Sequence, residues 1–292
     1  MSVAGIALGV AADAAFGDPR RWHPVAGFGQ AAAAFERVVY RPTRAAGVMY
    51  AGVLVGGAAL VGAALERVLP RSLARGLALY VALGGRSLAR EAAAVADLVE
   101  RGEIESARVR IRSLVGRDPE QLDASELCAA AIESVAENTV DAVIAPLLWC
   151  AAAGAPGVLA YRAVNTLDAM VGRRNERYAR FGTAAARADD VANWPAARLA
   201  GALTVVFGDR EARTVWKERA ALHPSPNAGV IEAAFAGALG LTLGGTLAYA
   251  GHVEHRPRLG DGRAPGPADV GRAIRLARII SLAAAVLAMV RR

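Results

Sequence analysis

The sequence predicts an all-α, polytopic integral membrane bundle with about 4–6 spanning or re-entrant helices and cytoplasmic helical loops. Three observations carry that prediction. The first is the length of the uncharged runs: Ala45–Leu65 holds 21 residues, Ala142–Tyr161 holds 20 and Ala233–Gly251 holds 19. A helix needs about 20 predominantly apolar residues to cross a bilayer. The second is composition, with 54% hydrophobic and 21% charged residues and a mean hydropathy of +0.30. These values exclude a disordered chain, a collagen-like chain and a small disulfide scaffold. The third is the kind of apolar residue. Aromatics are only 5%, and a chain rich in Ala, Val, Leu and Gly suits helices that approach closely in lipid.

Taken in order, Val3–Gly17 is a weaker candidate span, apolar except for Asp13, and it runs into the turn Gly17-Asp18-Pro19 ahead of His23-Pro24. Ala45–Leu65 follows. Gly76–Gly85 and Leu199–Gly208 are apolar but too short to span alone. Arg86–Gly116 predicts two amphipathic helices broken at Gly102, and Asp123-x-x-Glu126 resembles a capping box opening the next helix. Pro146, Gly154, Pro156 and Gly157 interrupt the run 142–161, which is therefore expected to be broken, re-entrant or paired with another span. Ala233–Gly251 is the third spanning run. His252–Pro267 is expected as a Gly/Pro-rich loop, and Ile279–Val290 as a short apolar end led by the amphipathic stretch Ala273–Leu282. Spacings of the GxxxG type stand at Gly5/Gly9, Gly52/Gly56 and Gly240/Gly244. The whole chain, 1–292, is expected as one membrane-embedded domain with a soluble helical segment near 86–141 and a polar active-site segment near 162–198.

The formal net charge is +7, and Lys217 is the one lysine among 34 basic residues. No run of five or six basic residues occurs and aromatics are sparse, which excludes a nucleic-acid partner. Arginines concentrate in 18–44 and 162–198, the sides expected to face the cytoplasm. Cys128 and Cys150 read as small buried hydrophobes. No GxxxxGK[ST] and no GxSxG occurs, so neither a P-loop nor a hydrolase elbow is supported. His252-x-x-His255 lacks a third metal ligand.

Three polar constellations stand out in this apolar setting. Glu126, Glu133, Glu137 and Asp141 fall within about an 80° arc of an ideal helix, with Asn138 and Thr139 beside them. Such a stripe is either a solvated face or a set that needs a cation or arginines opposite. Next, Asn165 and Asp168 share a helical face, followed by Arg173, Arg174, Arg177, Arg180 and Arg187, the pair Asp189-Asp190, Asn193 and Arg198. Arginine clusters suit phosphate or anionic lipid. Adjacent aspartates with an Asn offer hard oxygens to Mg²⁺. The third is His223-Pro-Ser225-Pro-Asn227-Ala-Gly229, where proline forbids a helix and Ser225 or Asn227 can cap the one that follows.

These segments together resemble the adenosylcobinamide-phosphate synthase family, integral membrane enzymes of cobalamin biosynthesis. The resemblance rests on Glu133, Glu137, Asn138, Thr139 and Asp141 with Ala145-Pro146-Leu147, and on Tyr161-Arg162, Asn165-Thr166-Leu167-Asp168, Met170 and Gly172. It continues through Asn175-Glu176-Arg177-Tyr178, Phe181-Gly182 and Arg187-Ala-Asp189-Asp190. Gly17-Asp18-Pro19 with His23-Pro24, the turn Val115-Gly116-Arg117-Asp118 and the motif at 223–229 also match, in order from residue 13 to about 251.

The resemblance implies amide ligation of a corrin carboxylate of adenosylcobyric acid with (R)-1-aminopropan-2-ol or its O-phosphate, driven by ATP with Mg²⁺. Amide formation needs an activated carboxylate, phosphate-binding arginines and a base for the amine's proton. Asp189, Asp190 and Asn193 are then expected to hold Mg²⁺ and phosphate. Arg177, Arg187 and Arg198 would bind phosphate, with Asp18, His23, His223, Ser225 and Asn227 as further substrate contacts. Glu137 or Asp141 would receive the amine, supported by Glu133, Asn138, Asn165 and Asp168, and all are expected to converge on one pocket. The implied setting is the inner membrane with the site facing the cytoplasm. The implied partners are the corrinoid, the amine, membrane lipid and other late membrane enzymes of the pathway. Two other functions compete: a cation- or proton-coupled transporter, which an inverted repeat would mark, and a non-enzymatic scaffold for corrinoid enzymes.

Overall fold

The computed structural model describes residues 3–290 except 20–22, 117, 174 and 250–251, and of 246–249 and 252–256 it describes the backbone. Arg117, Arg174 and the side chains of His252 and His255 thus lie outside the described residues. The contacts fall into two compact units. Unit 1 comprises 1–84, 141–196 and 285–292; unit 2 comprises 85–140 and 197–284.

Unit 1 contains α1 (Val3–Phe16), α2 (Pro24–Val39), α3 (Arg44–Val68), α4 (Arg71–Ala82), α8 (Ala145–Leu167) and the first part of α9 (Thr183–Phe207). Helix α3 packs on α8, and α1 packs on α4. Small residues permit both approaches. A side chain at Gly9 would strike Leu79, and one at Gly62 would strike the backbone of Pro156. Gly5/Gly9 therefore does work as a close-packing motif. Gly52 and Gly56 meet nothing within 4 Å. Ala32, Tyr50, Leu167, Val171, Phe181 and Ala185 form a buried hydrophobic cluster, with Tyr50 and Phe181 ring centroids 5.0 Å apart.

The run 142–161 is broken as its glycines and prolines require. Gly154 takes φ 65°, ψ −151° inside α8, two residues before Pro156. The break frees the Ala155 N–H, which donates to Glu66 Oε1 at 2.9 Å. The same oxygen accepts from Arg75 Nε at 2.8 Å. An acid–base pair thereby satisfies backbone that the kink would leave bare.

Unit 2 contains α5 (Gly85–Glu100), α6 (Ile104–Ile111), α7 (Ala124–Thr139), α10 (Glu211–Arg219), α11 (Ala228–Leu239), the strands β1 (Leu243–Tyr249) and β2 (His252–Leu259), and most of α12 (Pro267–Val290). Helices α5 and α6 are separated at Gly102, φ +75°, as the sequence predicts. The capping box at α7 forms in both directions. Asp123 Oδ1 accepts from Glu126 N, and Glu126 Oε2 accepts from Asp123 N, each at 2.8 Å. Asp123→Ala is expected to lower stability by about 1 kcal/mol, read as a shift in denaturation midpoint.

The third uncharged run is a correction. Ala233–Gly251 is not a span: α11 stops at Gly240 in the left-handed region, φ 65°, and the chain continues as β1, antiparallel to β2. Every residue of α11 is buried, so its apolar character belongs to a core, and its 12 residues are too few to cross a bilayer. Gly240/Gly244 is accordingly a cap and a strand residue, and much of the expected loop 252–267 is β2. Among the described residues the hairpin is the one pair of strands in a largely helical chain. Conversely, the apolar end 279–290 belongs to a helix of 24 residues.

Among the described residues three segments are long and apolar enough to cross a membrane by length and composition: Arg44–Val68, Ala124–Gly172 and Pro267–Val290. In the first, only 11% of the most apolar stretch is buried. Val48, Met49, Val53, Leu60 and Val61 lie exposed along it, as on a helix facing lipid.

Candidate functional site

Two π-turns shape unit 1's polar centre. Val140–Ile144 leads into α8, and Asp168–Gly172 ends it. A π-turn inserts a residue into the helical register, so the four carboxylates 126–141 do not share one continuous α-helical stripe. Asp141 instead joins a ring with α8 and α9. Asn165 Nδ2 donates to Asp141 Oδ2 at 3.1 Å and to Asp189 Oδ1 at 3.3 Å. Asn193 Nδ2 donates to Asp189 Oδ2 at 3.0 Å. The Tyr161 hydroxyl lies 2.8 Å from Asn193 Oδ1 and 3.0 Å from the Asp141 carbonyl, sharing one proton between them. Arg162 donates to Asn165 Oδ1 at 3.2 Å, which fixes the amide's orientation.

Burial holds the Asp189 carboxyl above the usual carboxylate range; the donors Asn165 and Asn193 oppose this, and the neighbouring Asp190 adds to it. Asp190 and Arg187 are exposed on α9. Asp168 is half-buried and abuts Gly172, where no side chain has room. Asn193 is 2% exposed.

Arg177 is engaged elsewhere. Its Nε and Nη2 donate to Glu36 Oε1 at 3.2 and 2.9 Å, its guanidinium lies 4.2 Å from the Tyr40 ring centroid, and the Tyr178 hydroxyl reaches the same oxygen at 3.0 Å. At the α2 entrance His23 Nδ1 accepts from Val25 N at 3.1 Å. That assigns the proton to Nε2, 3.6 Å from Asp18 Oδ1.

Unit 2 gathers the motif at 223–229. Ser225 Oγ accepts from Asn227 N and Ala228 N at 3.3 and 3.2 Å, so Ser225 supplies the side-chain bonds at the start of α11, whose N-cap position is held by Asn227. Asn227 turns its Oδ1 to Arg198 Nη1 at 2.6 Å, and burial draws the Arg198 guanidinium below its ordinary value. His223 Nδ1 accepts from Ser225 N at 3.0 Å. Its Nε2 lies 3.7 Å from Glu232 Oε2, and both side chains are 3% exposed. Glu133, 7% exposed, accepts from Gly244 N at 2.8 Å. Glu137 is exposed, and Asn138 donates to Ser134 within its own helix.

Sequence reasoning left out Tyr161, Arg162, Glu36 and Glu232 as site residues. Tyr161 and Arg162 precede Asn165 by four and three residues, a spacing that shares its face. Glu232 is a lone acid in an apolar stretch, and that alone demands a buried partner.

Among the described residues no group of three His, Cys, Asp or Glu side chains is placed to hold a metal. Asp141 Oδ2 and Asp189 Oδ1 both accept from the Asn165 amide, so a cation held by these two carboxylates would take the place of that donor. Two carboxylates suit Mg²⁺, which keeps waters and shares substrate phosphates instead of filling a protein cage. Asn193 fits that set less directly, because its carbonyl already accepts from Tyr161.

The fold and these clusters define a class: an apolar helical protein with membrane-length helices that encloses acid–amide and histidine–acid chemistry. A family model described as CobD/Cbib protein matches residues 6–277, and the chain belongs to that family. It is 52% identical to the cobalamin biosynthesis protein CobD of Mycobacterium tuberculosis (strain ATCC 25618 / H37Rv), over 98% of this chain and 94% of the relative. It is 42% identical to the protein of that name from Chromobacterium violaceum, over 94% of each. It is 39% identical to the Rhodobacter capsulatus one, over 94% and 91%. No solved structure matches.

Proposed function

We propose that the chain is the cobalamin-biosynthesis ligase joining a corrin carboxylate of adenosylcobyric acid to (R)-1-aminopropan-2-ol or its O-phosphate. The observation that carries this reading is the half-buried carboxylate of Asp189, held by two amides, one of which it shares with Asp141. Family membership and the names of the relatives support the pathway.

The corrin carboxylate attacks the γ-phosphorus of ATP, giving an acyl phosphate and ADP. The amine then attacks the acyl carbon, inorganic phosphate leaves, and the amine's proton passes to a carboxylate, Glu137 or Asp141. Mg²⁺ held by Asp141 and Asp189, with Asp190 alongside, would neutralise phosphate charge. Asn165 and Asn193 keep the Asp189 oxygens in place, with Tyr161 locking Asn193. Arg187 binds phosphate, while Arg177, bound to Glu36, orders the segment that carries it. The setting is the inner membrane, with about 4–6 crossings or re-entrant passes and the arginine-rich segment 162–198 at the cytoplasmic face.

Purified protein supplied with cobyric acid, amine, ATP and Mg²⁺ is expected to yield cobinamide or its phosphate and ADP in equal amounts. Corrinoid left unchanged while binding is retained would sink the ligase reading.

The raised Asp189 carboxyl also predicts a metal linkage. Its folded value lies above the unfolded one, so its contribution to stability is full below the unfolded value and fades as pH rises through the folded one. Mg²⁺ binds the ionised form. Thermal unfolding with and without Mg²⁺ should therefore separate more at pH 8 than at pH 5. A separation independent of pH would count against Asp189 as a ligand.

A further inference from the structure

Unit 2 carries an open cavity of about 460 Å³ beside α7 and the hairpin, whose lining includes Ser125, Glu126, Glu133, Thr242, Gly245 and Arg258. That volume suits a small molecule and is overfilled by a corrin macrocycle. None of its described lining residues is aromatic, so it offers no stacking surface to a nucleotide base.

The charges at its wall have opposite signs on different elements. Glu126 and Glu133 stand seven residues apart on one face of α7. Arg258 lies on β2, exposed, with no ion-pair partner among the described residues. Beside it the ladder passes from Gly244↔Arg258 to Thr246↔His255, so two residues of β2 stand against Gly245 alone: the bulge lies on β2, and Gly245 opposite it takes φ +106°. A simple anion would be repelled by two carboxylates, and a bare cation by the guanidinium.

The wall is also held rigid. Ser125 Oγ donates to Pro265 O at 2.9 Å, and Asp269 Oδ2 binds Gly266 N at 2.9 Å and Arg263 Nη1 at 2.7 Å. Preorganised polar groups lose little freedom when a ligand arrives.

We propose that this cavity binds a small dipolar amine of the aminoalkyl phosphate class, its ammonium at Glu126 and Glu133 and its phosphate at Arg258 and the Gly245 backbone. As the seat of the amine in ligation, this assignment rests on the reading above; as a binding site, it stands on the cavity.

The test is calorimetric titration of the full chain in lipid nanodiscs, without ATP or corrinoid. The probes are 1-aminopropan-2-ol O-phosphate, 1-aminopropan-2-ol and inorganic phosphate. The phosphorylated amine is expected to bind tightest. Arg258→Gln should weaken it roughly tenfold or more and leave the unphosphorylated amine unchanged. Glu126→Gln, which retains the capping box, should weaken both amines. Both side chains are exposed, so the variants are expected to fold. Equal affinities across wild type and variants, or inorganic phosphate binding as tightly as the amine phosphate, would overturn the site. Turnover with an unchanged amine KM in both variants would likewise remove the cavity while leaving ligation standing. Binding that weakens as expected in a protein that never ligates would uphold the cavity and overturn the ligase reading instead.

Discussion

Asp189→Asn is expected to lower ligation by about a hundredfold or more, the scale on which a preorganised charged group acts on a transition state. The side chain is the hinge of the unit 1 ring, accepting from Asn165 through one oxygen and from Asn193 through the other. Replacing one oxygen by an NH₂ group removes the charge and sets donor against donor at one of these contacts. Asp190→Asn should lose much less, because Asp190 is exposed. Steady-state kinetics over a Mg²⁺ titration separate the roles. A metal ligand shifts the Mg²⁺ dependence, and a purely structural residue lowers folded yield at every Mg²⁺ concentration. Near-normal turnover with an unaltered Mg²⁺ dependence would remove Asp189 from the site.

Glu66→Ala is expected to give the largest loss of stability, about 3 kcal/mol. It strands Arg75, whose side chain is 18% exposed, and leaves the Ala155 N–H without its acceptor at the break in α8. A substitution that removes both charges, Glu66→Gln with Arg75→Leu, should recover part of the loss, since the uncompensated charge carries most of the penalty. Gly154→Ala tests the same joint from the other side. Its φ of 65° disfavours a side chain, and a Cβ there would run into the Glu66 carboxylate and Arg75 Nε. Chemical denaturation in detergent micelles reads all three. A change for Glu66→Ala below about 1 kcal/mol would mean that the pair behaves as an exposed one.

Local chemistry made some elements legible. Asp123 and Glu126 form the box their spacing predicts, Gly102 separates two amphipathic helices, and glycine and proline break 142–161 at Gly154. Other features depend on neighbours. Ala233–Leu239 has the same apolar composition as a membrane span, but its partners α7 and α10 bury it, and Gly240 turns the chain into a strand. The stripe ending at Asp141 assumed 3.6 residues per turn throughout, and a π-turn replaced that register. Arg177 carries the right chemistry for phosphate, yet Glu36, 141 positions away in sequence, holds it. No spacing rule reaches across that distance.

The amino-acid sequence by itself determined that this protein is helical and membrane-compatible, which residue types its chemistry requires, and which family they resemble. Those properties follow from hydropathy, periodicity and local capping, all short-range along the chain. Only the tertiary structure decided that Asn165 joins Asp141 to Asp189, that Tyr161 occupies the carbonyl of Asn193, and that Glu232 faces His223. Each is a pairing of buried or half-buried polar groups set by how the segments fold against one another, and burial selects such partners only once those segments have packed.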